Sequence, residues 1–130
     1  MTIHQISVFL ENRAGQLADI TAILSESRVD LRAINIAETA DYGVLRLIVD
    51  DAQRASAVLL ERGFILTMTP VVAVAVPDRP GGLSEVLQII SRESIDVEYM
   101  YSVFGQKNGL AYMIFRVGDP DRLDAVLRAS

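Results

Sequence analysis

The second half of this chain repeats the first. Displaced by 66 residues, Ile6–Val49 meets nine identical residues over 44 positions without a gap: Val8/Val74, Arg13/Arg79, Gly15/Gly81, Leu17/Leu83, Ile23/Ile89, Ser25/Ser91, Asp30/Asp96, Gly43/Gly109 and Ile48/Ile114. Apolar pairs such as Ile20/Val86, Leu24/Ile90, Val29/Ile95 and Leu31/Val97 fill the positions between them. A period of this kind means one supersecondary unit made twice. The expected boundaries are 1–69 and 70–130, two small units sharing a chain long enough for only one ordinary domain.

Within the first copy, Ile6, Val8 and Leu10 alternate with Gln5, Ser7 and Phe9, the period of a strand with one buried face. Leu17, Ile20, Ile23, Leu24 and Ser27 follow at helical spacing, with Asp19 and Glu26 toward solvent. Leu31 to Glu38 and Val44 to Val49 read as strands, joined by a polar turn from Thr39 to Gly43. Ala52, Ala55, Val58, Leu59 and Arg62 outline a second helix ended by Gly63, and Phe64 to Met68 supplies a last strand. The predicted order is βαββαβ, that of a ferredoxin-like unit in an α+β fold: an antiparallel sheet with helices on one face. The second copy gives Val71 to Val76, Leu83 to Arg92, Val97 to Phe104, Leu110 to Val117 and Asp121 to Ala129, then ends at Ser130 without its last strand. Either the chain is shortened there, or an exposed sheet edge must be covered by another strand. In the ribbon of the strands Leu31 to Glu38 and Val44 to Val49, parity groups Ala33 with Leu45, Leu47 and Val49 on one face, and Ile34, Ile36, Val44 and Ile48 on the other. One of these faces is expected to meet the helices and the other a partner surface.

Composition removes several classes of function. A net charge of −5 opposes nucleic-acid phosphates and anionic membranes. There is no cysteine for a thiol nucleophile or a Cys-ligated zinc. The lone His4 has no companion for metal ligation. Ser25, Ser27, Ser91 and Ser94 have no histidine base and read as helix-end groups. Asp50-Asp51 and Asp119-Asp121 sit where helix dipoles account for them. Arg46 and Tyr112 do not make the basic, aromatic third strand of an RNA-recognition sheet. No secretory signal or apolar run of spanning length is visible. The expectation is a cytoplasmic protein without cofactor, metal or catalysis.

The duplicated turn is the remaining feature. It reads Asn12-Arg13-Ala14-Gly15-Gln16-Leu17 in one copy and Asp78-Arg79-Pro80-Gly81-Gly82-Leu83 in the other. Glycine at a helix start lets backbone approach a ligand, and the unpaired N–H groups there suit a carboxylate. Asn12 or Asp78 could then receive an ammonium group, which together describes the head group of a free α-amino acid. Polar-Pro-Gly segments are also ordinary turn chemistry. The turn and the element order resemble the ACT-domain family over nearly the whole chain. The resemblance implies binding of amino acids or related effectors between paired modules, the turn of one facing the second strand of its neighbour. It places Asn12 to Leu17 at one site and Asp78 to Leu83 at the other, with Asn35, Ile36, Tyr101 and Ser102 among the facing positions. Ala14 replaces the proline of the pattern, Gln16 replaces a small residue, and Asn35 is matched by Tyr101, so unlike occupancy is expected. The favoured arrangement sets the Asn12 turn against Tyr99-Met100-Tyr101-Ser102, whose tyrosines could equally be packing residues. The implied partners are a small amino-acid effector, a second copy in a homodimer, and a separate regulated enzyme. The competing expectation is a ligand-free structural or oligomerisation module, or the regulatory subunit of an enzyme complex.

Overall fold

The computed structural model of the chain describes residues 1–11, 13–38 and 42–130. Its elements are β1 (Thr2–Glu11), α1 (Gln16–Glu26), β2 (Leu31–Glu38), β3 (Tyr42–Val49), α2 (Ala52–Glu61), β4 (Ile65–Pro77), α3 (Gly82–Arg92), β5 (Val97–Lys107), β6 (Leu110–Val117) and α4 (Pro120–Arg128). The protein is thus α+β, with the two ferredoxin-like modules expected and a helix after the last strand. Asn12 and Thr39 to Asp41 of the expected hairpin turn lie outside the described residues.

The chain divides into two compact units, His4–Thr69 and Met1–Ile3 with Pro70–Ser130. In the first, β2, β3, β1 and the start of β4 lie side by side, with antiparallel β2·β3 and β1·β3 pairs. Ile6, Val8 and Leu10 of β1 and Leu45 and Leu47 of β3 close a core with Ile20, Ile23 and Leu24 of α1 and Ala55 and Leu59 of α2. Phe64, just before β4, and Leu66 within it pack against this core. Burying each such side chain stabilises by about 1.5–3 kcal/mol, so the helical periodicity read from sequence is what holds α1 and α2 to the sheet. In the second unit the order is β5, β6, β4 and the start of β1. Val72, Val74, Val76, Phe115 and Val117 meet Val86, Ile90 and Leu123 there.

The duplication extends to backbone detail. Arg28 and Ser94 hold φ of 59° and 54° just past α1 and α3. The bonds Val29 N–H to Leu24 O and Ile95 N–H to Ile90 O close the same helix end in both copies. Asp51 and Asp119 cap α2 and α4, each accepting from the N–H three residues on, of Arg54 and Arg122.

Four expectations are corrected. The ungapped repeat fails at β3 and β6: Val8 pairs with Leu45, but its counterpart Val74 pairs with Met113, 68 residues beyond Leu45. The second hairpin is therefore two residues longer, and the identities Gly43/Gly109 and Ile48/Ile114 are not structural equivalents. Next, an irregularity between Leu31 and Ala33 shifts the parity of β2. Ala33 stands opposite Ile48, while Ile34 and Ile36 stand opposite Leu47 and Leu45 on the helix-facing side, because one extra residue moves everything beyond it to the other face. Third, Phe64 to Met68 and Val71 to Val76 are not separate strands; Ile65–Pro77 is one strand running through Pro70.

The fourth concerns the missing last strand. Met1 and Ala73 exchange both backbone bonds, at 2.8 and 3.1 Å, the mark of an antiparallel pair. The N-terminal amine also meets Asp124 Oδ1 at 2.6 Å. Residues Met1–Ile3 of the first copy's opening strand thus cover part of the edge that the second copy leaves open. The hydrogen bond from the N-terminal amine, followed by that from Arg128, lowers the Asp124 carboxyl below the usual carboxylate range. Since the folded value is depressed, this contribution is present above the ordinary carboxylate range and is lost as pH falls through the folded value. Thermal unfolding of Asp124→Asn is expected to lie below that of the parent at neutral pH, with the gap closing on acidification. A constant gap would remove the ion pair from the account.

Candidate functional site

The two helices that follow the repeated turn begin differently from the other two. Asp51 and Asp119 cap α2 and α4, whereas α1 and α3 start from Gly15 (φ 89°) and Gly81 (φ 85°), neither with a side-chain cap bond. The first intrahelical bonds are Asp19 N–H to Gly15 O and Glu85 N–H to Gly81 O. By helix geometry the N–H groups of Leu17 and Ala18, and of Leu83 and Ser84, have no acceptor in their own helix. Aligned peptide dipoles put about half a positive charge at each such end. This is an anion-binding arrangement built from backbone alone.

The glycines serve different ends. A Cβ at Gly15 or Gly81 would meet nothing within 4 Å, so these two are there for their left-handed φ. A Cβ at Gly82 would lie 1.9 Å from the Pro77 carbonyl oxygen, so Gly82 is required by close packing of α3 on the end of β4. Gln16 takes its place in the first copy. The arginines are not free cations. Arg79 makes a two-pronged pair with Glu85 at 3.0 and 3.1 Å, and Arg13 lies 3.2 Å from Glu11. Both pairs are largely exposed and worth little to stability.

Around the first turn lies a cavity of about 480 Å³. It brings together Arg13, Ala14 and Gln16 with Phe9, Asp19, Phe64 and Ile65. Sequence reasoning missed the last four as site residues. Phe9 carried a signal, a large apolar residue on the strand parity opposite to Ile6 and Val8; Phe64 and Ile65 arrive from a distant turn and carried none. Gln16 Oε1 is buried without a hydrogen-bond partner among the described residues, a state that costs about 1–3 kcal/mol unless met.

The remaining predicted residues are placed as follows. Gly15 and Leu17 stand in the turn and first helical turn beside the cavity residues. Asn35 and Ile36 lie on β2 and do not line the cavity; Asn35 Oδ1 accepts from Arg46 at 2.9 Å. On β5, Tyr99 and Tyr101 stack with ring centroids 6.5 Å apart, and Tyr101 is buried. Met100 points to the opposite face and packs on the second core, while Ser102 is exposed. Asp78 N–H bonds to Gly109 O at 2.9 Å, and Pro80 and Gly81 are exposed beside it. Leu83 packs against the second core.

The family model described as an ACT domain pair matches residues 1–129. The chain belongs to this family. ACT domain pairs are regulatory modules. A solved Bacteroides thetaiotaomicron protein is 38% identical, with a TM-score of 0.91 over 99% of this chain and 88% of that one. The regulatory subunit of aspartate kinase from Thermus thermophilus, in a ligand-free form, has a TM-score of 0.68 at 17% identity, over 99% of this chain and 94% of that one. Aspartokinase III of E. coli, solved in complex with lysine and aspartate, has a TM-score of 0.57 at 15% identity; the match spans 98% of this ACT pair and 31% of that chain. The latter two show a shared fold. No curated protein matches the chain. Among the described residues, no helix of this ACT pair is long and apolar enough to cross a membrane.

Proposed function

We propose that this ACT pair, with modules 1–69 and 70–130, binds a free α-amino acid at the Asn12–Leu17 turn and passes the binding state to a separate enzyme in the cytoplasm, working as a homodimer. The observation that carries this reading is the uncapped α1 terminus beside an open cavity. The N–H groups at the start of α1 receive the effector's carboxylate. Asn12 and the unsatisfied Gln16 Oε1 receive its ammonium group, and Phe9, Phe64 and Ile65 take an apolar side chain. Tyr99-Met100-Tyr101-Ser102 of a neighbouring module form the facing strand, with Asn35 and Ile36 in the corresponding place opposite the Asp78–Leu83 turn. That second turn is the weaker binder: Gly82 is pressed against Pro77 where the first turn has Gln16 with its unsatisfied Oε1.

The test is thermal unfolding with each common amino acid, lysine and aspartate included, since those two accompany the E. coli aspartokinase III structure. A ligand at a hundred times its Kd stabilises the native state by about 2.7 kcal/mol. Gly15→Val is expected to abolish the rise in Tm, while Gly81→Val leaves it. Both glycines hold positive φ in open space, so the two variants carry similar backbone strain, about 1–3 kcal/mol, and their difference reports binding. Absence of any rise across the panel would leave the oligomerisation module as the function.

A further inference from the structure

The cavity beside the first turn is lined by four charged side chains, those of Glu11, Arg13, Asp19 and Arg62. Three of them are paired. Arg13 Nε lies 3.2 Å from Glu11, and Arg62 Nη2 lies 3.5 Å from Glu26, which stands outside the lining. Asp19 is the carboxylate left over: it is exposed, and among the described residues no cation pairs with it.

An aspartate in a first helical turn suits the helix dipole whatever it faces, so its place on α1 does not by itself assign a role. The second copy supplies the comparison. Displaced by 66 residues, Asp19 corresponds to Glu85 and Arg13 to Arg79. Arg79 closes on Glu85 with both prongs, at 3.0 and 3.1 Å. In the first copy the arginine lies against Glu11 instead. Glu11 is the last residue of β1, and at the same offset the last residue of β4 is the uncharged Pro77. A charge placed at the end of the strand thus engages the arginine, and the carboxylate of α1 is left to the cavity.

Resting on the reading of this cavity as an amino-acid site, we propose that Asp19 selects an effector whose side chain has an apolar stem and ends in a cation, an α-amino acid of the lysine, ornithine or arginine class. The stem lies along Phe9, Phe64 and Ile65, as long cationic side chains lie along apolar surface, and the terminal charge meets Asp19. A side chain ending in a carboxylate would bring like charges together and is rejected. The second copy cannot make the same choice, because Glu85 already holds Arg79.

The test is calorimetric titration of the full chain with lysine, ornithine, arginine, norleucine and glutamate. Norleucine has the hydrocarbon stem of lysine without its charge. Lysine is expected to bind about tenfold more tightly than norleucine, the size of one charge-assisted contact in an open site, with glutamate the weakest of the five. Asp19→Asn should bring lysine to the level of norleucine and leave norleucine unchanged; Glu85→Gln should alter neither. Norleucine binding as tightly as lysine, or an equal loss of both in Asp19→Asn, would overturn the proposal while leaving an amino-acid site in place. No binding of lysine, ornithine or arginine would overturn it too, and the site itself falls only if the panel of common amino acids is silent as well.

Discussion

Gly82→Ala is expected to destabilise the chain by about 1–3 kcal/mol, the usual cost of overfilling a packed site, and by more than Gly81→Ala. The neighbouring glycines invite the opposite guess, since only Gly81 holds a left-handed φ. Yet a Cβ at Gly82 would stand 1.9 Å from the oxygen and 2.9 Å from the carbon of the Pro77 carbonyl. Neither atom belongs to a flexible side chain, so α3 must back away from β4 and loosen Leu83 and Val86 over the core. At Gly81 the added methyl meets nothing within 4 Å, and the cost is the backbone conformation alone, about 1–2 kcal/mol. Urea unfolding at unchanged m would give both values. A Gly81→Ala loss equal to or larger than that of Gly82→Ala would refute the packing account.

Removing Met1–Ile3 is expected to destabilise the second unit selectively. The two backbone bonds between Met1 and Ala73 contribute about 1–3 kcal/mol together. The amine partner of Asp124 and the Thr2 bond to Asp121 go with them. Hydrogen exchange should quicken along β4 from Val71 to Ala73 and around α4, with β2 and β3 little changed. Equal acceleration in both units would contradict the assignment of these residues to the second.

What the sequence made legible was periodic or local. The helix stripes of α1 and α3, the glycines 15 and 81 at their starts and the aspartates at the starts of α2 and α4 each depend on residues within a turn or two. The β2 parity was not legible, because alternation assumes an unbroken strand and the irregularity after Leu31 has no residue signature. The junction at Pro70 misled in the same way, since proline ordinarily argues against a strand interior. Of the candidate site, the turn itself was visible. Phe64 and Ile65, which share its cavity, were not, because nothing within reach of the turn points to a segment so distant in the chain.

The place of Met1–Ile3 bears on how the chain folds. Met1 finds its partners Ala73 and Asp124 at separations of 72 and 123 positions. The first unit begins at His4 and can close with the leading residues still loose. The second cannot complete its edge until those distant contacts have closed. Such long-range closure is slow and leaves a sheet edge open in the interval, so chain connectivity sets different folding demands on two units that repetition would make equivalent.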